Sequence, residues 1–151
     1  MKILTFTIAG NEYAIDINHI KEVLRDKKTQ PIPHTADWFE GIINYNDKIV
    51  PVINLNKVFY SENRSSNTHS SRRIIIVNTD EQMIGLVIDL SKSVTSVKDN
   101  EIESLEKVPD HPKYLTGAIR TNDSFTLIID PEQLITKSIR LELENVESIH
   151  N

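Results

Sequence analysis

No cysteine occurs among the 151 residues, which excludes a disulfide framework, a thiolate zinc site and a thiol nucleophile. Glycine is nearly as scarce. Gly10, Gly41, Gly85 and Gly117 are the only four, and no three of them share one loop, so a Gly-rich phosphate cradle is not expected. Aromatic residues make up 6% and Trp38 is the single tryptophan, so the core must be mainly aliphatic. Basic residues do not dominate either: 17 Lys and Arg stand against 22 Asp and Glu, a formal charge of −5. A general nucleic-acid binder needs a concentrated basic face. Long hydrophobic runs are missing too. Ile3 to Ala9 ends at Gly10-Asn11-Glu12 with no small-residue cleavage pattern, and nothing approaches the ~18 apolar residues of a membrane span. A soluble, cytoplasmic chain without membrane insertion is expected.

What is present reads as a series of short strands in a chain sized for one domain or two small subdomains. Leu4, Phe6 and Ile8 alternate with threonines, the period of a half-buried strand. Gly10-Asn11 marks a turn and Tyr13 to Ile17 a second strand, while Ile20 and Val23-Leu24 read as a strand or a short turn. Thr35 is expected to cap a brief helical turn through Ala36 to Phe39 that ends at Gly41. Ile42 to Tyr45, Asn46-Asp47 and Lys48 to Leu55 form a hairpin pattern, with Pro51 pushing its strand towards an edge or a bulge. Residues 61–73 carry no apolar side chain and read as a polar loop. Ile74 to Val77 and Ile84 to Ile88 form another strand pair, and Val94 and Val97 suggest a further strand.

Two segments repeat. Gly41 to Asn54 matches Gly117 to Asp130 at an offset of 76, including Asn46-Asp47 on Asn122-Asp123. Ala14 to Ile17 falls on Gly85 to Ile88 at an offset of 71. Either the halves are the same β unit, each burying its apolar face against the other, or strand–turn–strand patterns coincide. After Pro131, the positions Ile135, Ile139, Leu143, Val146 and Ile149 lie three or four apart, one helical stripe with Glu142, Glu144 and Glu147 on the wet side. A helix over about 131–149 is expected, docked on the sheets or free for a partner.

Nothing in the pattern is catalytic. The histidines at 19, 34, 69, 111 and 150 make no i,i+4 pair, so no metal site is indicated. Asp16, Asp89 and Asp130 lie on or beside apolar strands without an evident acid–base partner. No serine sits in a Gly-x-Ser-x-Gly elbow, and Thr68 to Ser71 falls in the polar tract. No enzyme and no cofactor are expected. What remains is recognition, because aliphatic grooves and edge strands bind other proteins.

Gly41-Ile-Ile-Asn44 with Ile49-Val-Pro-Val-Ile-Asn-Leu55 resembles the signature hairpin of CheW-type chemotaxis coupling proteins. Tyr114-Leu-Thr-Gly117 with Leu127-Ile-Ile-Asp130 and Leu134-Ile135 is similar to that family's second-half pattern. Phe6, Glu12 to Ile17 and Ile20 to Val23 fit its opening. The resemblance covers nearly the whole chain. It implies one mainly β domain over 1–151: two intertwined five-stranded SH3-like β-barrel subdomains around a shared core, with short helical turns and a C-terminal helix. It also implies a non-enzymatic adaptor joining the cytoplasmic tip of methyl-accepting chemoreceptors to the regulatory domain of a CheA-type histidine kinase, recruited to membrane receptor arrays through those partners.

Carried over onto this sequence, receptor binding falls on Ile20, Glu22, Gly41 and the hairpin tip Asn46 and Asp47, and array contacts on Val108. Each position has a plainer reading: Ile20 as core, Glu22 as a solvated face, Gly41 as a backbone requirement. The tip departs from the family, which usually has Asn-Leu followed by Arg-Gly where this chain has Asn44-Tyr45 followed by Asn46-Asp47. An acidic partner suited to that Arg would meet repulsion from Asp47. The rival readings are a divergent adaptor in another signalling complex and, further off, a barrel binding a small ligand or nucleic acid.

Overall fold

The computed structural model describes residues 1–25, 27–60, 72–80, 82–135, 139–140 and 143–144. The polar stretch 61–73, apart from Arg72 and Arg73, lies outside the described residues, as do Glu142, Val146, Glu147 and Ile149. Among the described residues there are eleven strands: β1 (Lys2–Ile8), β2 (Asn11–Asp16), β3 (Ile20–Arg25), β4 (Phe39–Tyr45), β5 (Lys48–Asn54), β6 (Arg73–Asn78), β7 (Met83–Ile88), β8 (Leu90–Ser96), β9 (Ile102–Glu103), β10 (Leu115–Thr121) and β11 (Ser124–Ile129). Two short helices, α1 (Leu55–Tyr60) and α2 (Pro131–Leu134), follow β5 and β11.

The strands form two sheets, ordered β8-β1-β2-β11-β10-β9 and β3-β6-β7-β5-β4. The hairpin β1–β2 at the start of the chain pairs with strands from the second half: β1 runs antiparallel to β8 and β2 parallel to β11. Reciprocally, the hairpin β6–β7 from the middle of the chain joins β3, β4 and β5, with β7 parallel to β5. Each sheet therefore takes two strands from one half of the chain and three or more from the other. The architecture is mainly β and intertwined, as expected, but neither sheet closes into a barrel by strand pairing.

The repeat extends into backbone detail. Phe39 pairs Ile53 and Gly41 pairs Val52 across a bulge, and Leu115 pairs Ile129 and Gly117 pairs Ile128 across an equivalent one. Asn54 N–H donates to the Trp38 carbonyl at 2.8 Å, and Asp130 N–H to the Tyr114 carbonyl at 2.8 Å. The next residues are helical in both halves. Asn54 Oδ1 accepts from Lys57 N–H and Asp130 Oδ1 from Glu132 N–H, side-chain caps of the kind that start helices. At the offset of 71, β1 pairs β2 in the register in which β6 pairs β7: Leu4 with Ile15 and Ile75 with Leu86, Phe6 with Tyr13 and Val77 with Ile84.

Two local expectations are corrected. Residues 36–39 form a turn rather than a helix, closed by Phe39 N–H to the Ala36 carbonyl. The Thr35 hydroxyl donates back to the Ile32 carbonyl instead of accepting from the turn that follows, and the chain passes straight into β4 at Phe39. Pro51 lies inside its sheet, because β5 runs between β4 and β7. The physical reason is register. Ile42, opposite Pro51, exchanges both of its backbone hydrogen bonds with Gln30, at 2.8 and 2.9 Å, so β4 asks for no donor at Pro51. The parallel ladder to β7 begins only at Val52. A missing N–H is tolerated there.

The main core contains Phe6, Ile15, Ile53, Ile75 and Leu86 from both sheets and Leu55 from α1. Ile135, Ile139 and Leu143 of the C-terminal stripe are buried in that same core, and Ile139–Arg140 and Leu143–Glu144 are helical. The described residues of the stripe pack into the core, but α2 ends at Leu134 and Ile135 is not helical, so the segment expected as one helix over 131–149 is interrupted at Ile135. A second cluster on the other face of the five-stranded sheet holds Ile43, Tyr45, Val50, Val52, Ile74, Ile76 and Val87.

Candidate protein-binding site

The three candidate acids turn out to be structural. Asp16 Oδ1 accepts from Asn18 N–H and starts a 3-10 turn over Ile17–His19. Asp89 Oδ2 accepts from the N–H of Ala9, which has φ 52°, and Asp130 caps α2. No metal-holding group of side chains occurs among the described residues.

Ile20 follows the 3-10 turn at the start of β3, half-buried against the main core. A bulge separates it from Glu22, because Ile20 pairs Val77 while Glu22 pairs Ile76. Glu22 is exposed, and its Oε1 accepts a hydrogen bond from Tyr45 Oη at 2.6 Å. Tyr45 ends β4, the outer strand opposite β3 in the same sheet. Lys27 Nζ, just beyond β3, donates to the Asn44 carbonyl at 2.5 Å. Side chains therefore span the mouth that strand pairing leaves open. The bond to Glu22 chiefly, then burial and the charge of Glu22, raise the Tyr45 hydroxyl above its ordinary pKa.

Asn46 and Asp47 form the exposed tip with φ of 51° and 63°, the two left-handed residues of a type I′ turn. Their side chains lie in solvent on the strand end that carries Tyr45. Gly41 is different. Buried, with φ 141°, it passes so close to the Gln30 backbone that a Cβ would meet the Gln30 carbonyl oxygen at 2.4 Å. Backbone geometry accounts for this glycine.

Val108 lies apart, in the loop between β9 and β10. It is 47% exposed and lines an apolar groove of about 580 Å³ with Leu105, Leu115, Ala118, Phe125 and Leu127. The structure thus joins Glu22 to the hairpin carrying Asn46 and Asp47, sets Ile20 half in the core, and leaves Val108 on a separate surface.

Sequence reasoning missed two sets of residues. Exposed apolar side chains recur at repeat-related positions: Ile49 (60% exposed) and Phe125 (43%) at the offset of 76, and Val23 and Val94 at the offset of 71. The repeat would have found them had each half been searched for apolar residues on wet positions. The other set is an aromatic joint. Phe59 of α1 stacks on Tyr114 with ring centroids 5.2 Å apart and an interplanar angle of 6°, and packs on Tyr13. The Tyr60 and Tyr13 hydroxyls share a 2.6 Å hydrogen bond. Burial chiefly, with Tyr60 nearby, raises the pKa of both Tyr13 and Tyr114. These residues are scattered in sequence, and only the fold assembles them.

A family model described as the CheW-like domain matches residues 2–138. The chain belongs to the CheW-like domain family. It is 27% identical over 149 residues to the chemotaxis protein CheW of Treponema pallidum, covering 96% of this chain and 88% of that protein. It is 24% identical to CheW of Thermotoga maritima over 134 residues, covering 89% and 87%. The crystal structure of the scaffolding protein TtCheW from Thermoanaerobacter tengcongensis superposes with a TM-score of 0.80 at 32% identity, covering 91% of this chain and 94% of that one. CheW-family proteins are scaffolds and adaptors, not enzymes, and this chain is a chemotaxis adaptor of that type. Among the described residues, no helix is long and apolar enough to cross a membrane.

Proposed function

We propose that this CheW-family chain couples the cytoplasmic tip of methyl-accepting chemoreceptors to the regulatory domain of a CheA-type histidine kinase, fixing their relative geometry so that receptor conformation biases kinase activity. The observation that carries the reading is the doubled, strand-exchanged fold. It presents related exposed apolar positions on both halves, at Ile49 and Phe125 and at Val23 and Val94, and so offers two protein-binding faces on one rigid body. The domain is read as a single unit over 1–151 made of two repeated β units, supported by the matching bulges and caps.

The receptor-facing side runs along β3 and the hairpin tip through Ile20, Glu22, Asn46 and Asp47, with Gly41 shaping the hairpin behind them. Val108, exposed in its apolar groove, serves contacts between neighbouring molecules in arrays. Cytoplasmic location, with recruitment to membrane arrays through partners, follows from this reading. The Asn46-Asp47 tip bears on which receptor is recognised.

Calorimetric titration of the chain with the kinase regulatory domain, and separately with a receptor-tip fragment from the same genome, tests the reading. Saturable one-to-one binding near micromolar, about 8 kcal/mol per partner, is expected for each. A folded chain that binds neither would overturn the coupling role.

A further inference from the structure

A glutamate on an exposed edge strand ordinarily samples many rotamers and loses that freedom when a partner fixes it. Glu22 is already held, because Tyr45 Oη donates to its Oε1 at 2.6 Å. The donor is itself immobile. Tyr45 is buried among Ile43, Val50, Val52, Ile74, Ile76 and Val87, and close packing fixes its ring. Tyr45 also precedes Asn46 and Asp47, whose paired positive φ values set the turn. From the same side, Lys27 Nζ ties the chain leaving β3 to the Asn44 carbonyl. No other hydrogen bond of Glu22 is present among the described residues, which leaves Oε2 as an acceptor facing solvent.

We infer that Tyr45 is a positioning residue: it holds Glu22 in one rotamer at a fixed place relative to the Asn46-Asp47 turn, with Oε2 presented to a cationic group of the receptor tip. The inference rests on the receptor-facing reading of Glu22. Charge supports the cationic partner, since Asp47 adds a second carboxylate on the hairpin that Tyr45 ties to Glu22, and a cationic side chain is the natural complement of two carboxylates. A tyrosine hydroxyl is protonated at neutral pH in any case, and the bond to Glu22 raises its pKa further, so Tyr45 donates throughout that range.

The test uses the full chain, a receptor-tip fragment from the same genome, and the variants Tyr45→Phe, Glu22→Gln and the double variant. Tyr45→Phe keeps the buried ring and removes only the donor. Thermal melting should show all three folded. Binding to the fragment should weaken about three- to ten-fold in Tyr45→Phe, by more in Glu22→Gln, and no further in the double variant, because the tyrosine acts through the glutamate. Side-chain couplings measured by NMR on the free protein should show one Glu22 rotamer in wild type and averaged rotamers in Tyr45→Phe. Equal binding by Tyr45→Phe and wild type, additive losses in the double variant, or an already averaged Glu22 in wild type would each overturn the inference. If the wild-type chain fails to bind the fragment, the receptor reading of Glu22 falls and the presenting role falls with it. The rotamer measurement then decides whether Tyr45 orders Glu22 at all.

Discussion

Replacing Gly41 by alanine separates a backbone requirement from a recognition role, and its cost can be worked from the geometry. At φ 141° the backbone lies in a region essentially reserved for glycine, where another residue carries about 1–3 kcal/mol of strain. The added Cβ would also sit 2.4 Å from the Gln30 carbonyl oxygen and 2.7 Å from its carbon. These are backbone atoms and cannot swing aside as a side chain would. Relief requires opening the Gln30–Ile42 bridge, whose two hydrogen bonds contribute about 1 kcal/mol each. The expected loss is therefore about 4 kcal/mol, a large share of the roughly 5–15 kcal/mol that holds a domain together. Gly117, its repeat partner, provides the control. Its φ is not positive, and a Cβ there meets the Ile102 Cγ2 at 2.7 Å, a side chain on the two-residue edge strand β9. Repacking there costs about 1–2 kcal/mol. Urea denaturation of Gly41→Ala and Gly117→Ala against wild type measures both. Equal stability of Gly41→Ala and wild type, or a larger loss at Gly117, would refute the reasoning.

Stability should be flat between pH 7 and 9 and fall above pH 10. Tyr13, Tyr45 and Tyr114 have folded pKa values raised above the unfolded value of 10.0, so their contribution is complete below that pH and is lost as the unfolded chain ionises. Urea midpoints from pH 8 to 11 should show the fall, with Tyr13→Phe flattening it most; a wild-type profile level to pH 11 contradicts the shifts. Asp47→Gly should raise stability by about 0.5–1 kcal/mol, because φ 63° suits glycine better than aspartate in a type I′ turn. A thermal midpoint that does not rise would contradict that turn geometry.

Most strands were legible because burial imposes a period. The alternation in Leu4 to Ile8 and the unbroken apolar runs Ile74 to Val77 and Ile84 to Ile88 each became a strand, and the offsets of 76 and 71 proved to be matched registers. Local chemistry misled where a long-range partner decided the outcome. Pro51 reads as an edge or bulge residue until Gln30 is seen to take both hydrogen bonds of Ile42, and Asn54-Leu55 reads as strand end until Asn54 is seen capping α1. At the candidate site, Glu22 and the Asn46-Asp47 turn could be named from sequence, but the link between them could not. Tyr45 looks like one more apolar residue on β4, and its hydroxyl acquires meaning only when the sheet brings β3 within reach.

The strand exchange bears on how such an adaptor works. Because β1 and β2 complete the sheet built around β10 and β11, while β6 and β7 complete the one built around β4 and β5, neither half can satisfy its ladders alone. Separating the halves would expose the parallel edges of β2 and β11 and of β5 and β7, leaving unpaired backbone groups and a divided core. The aromatic joint of Tyr13, Phe59, Tyr60 and Tyr114 fixes α1, which follows the five-stranded sheet, against the other sheet. Two faces on such a body cannot rotate independently at modest energy. A displacement imposed on the β3 and hairpin face must then move the other face as part of one body, and that is the mechanical requirement for a non-catalytic coupler. The folding consequence is the reverse side of the same topology: the pairings of β1 with β8 and β2 with β11 join residues 83 to 114 positions apart, so their loop-closure entropy must be overcome before the six-stranded sheet is complete.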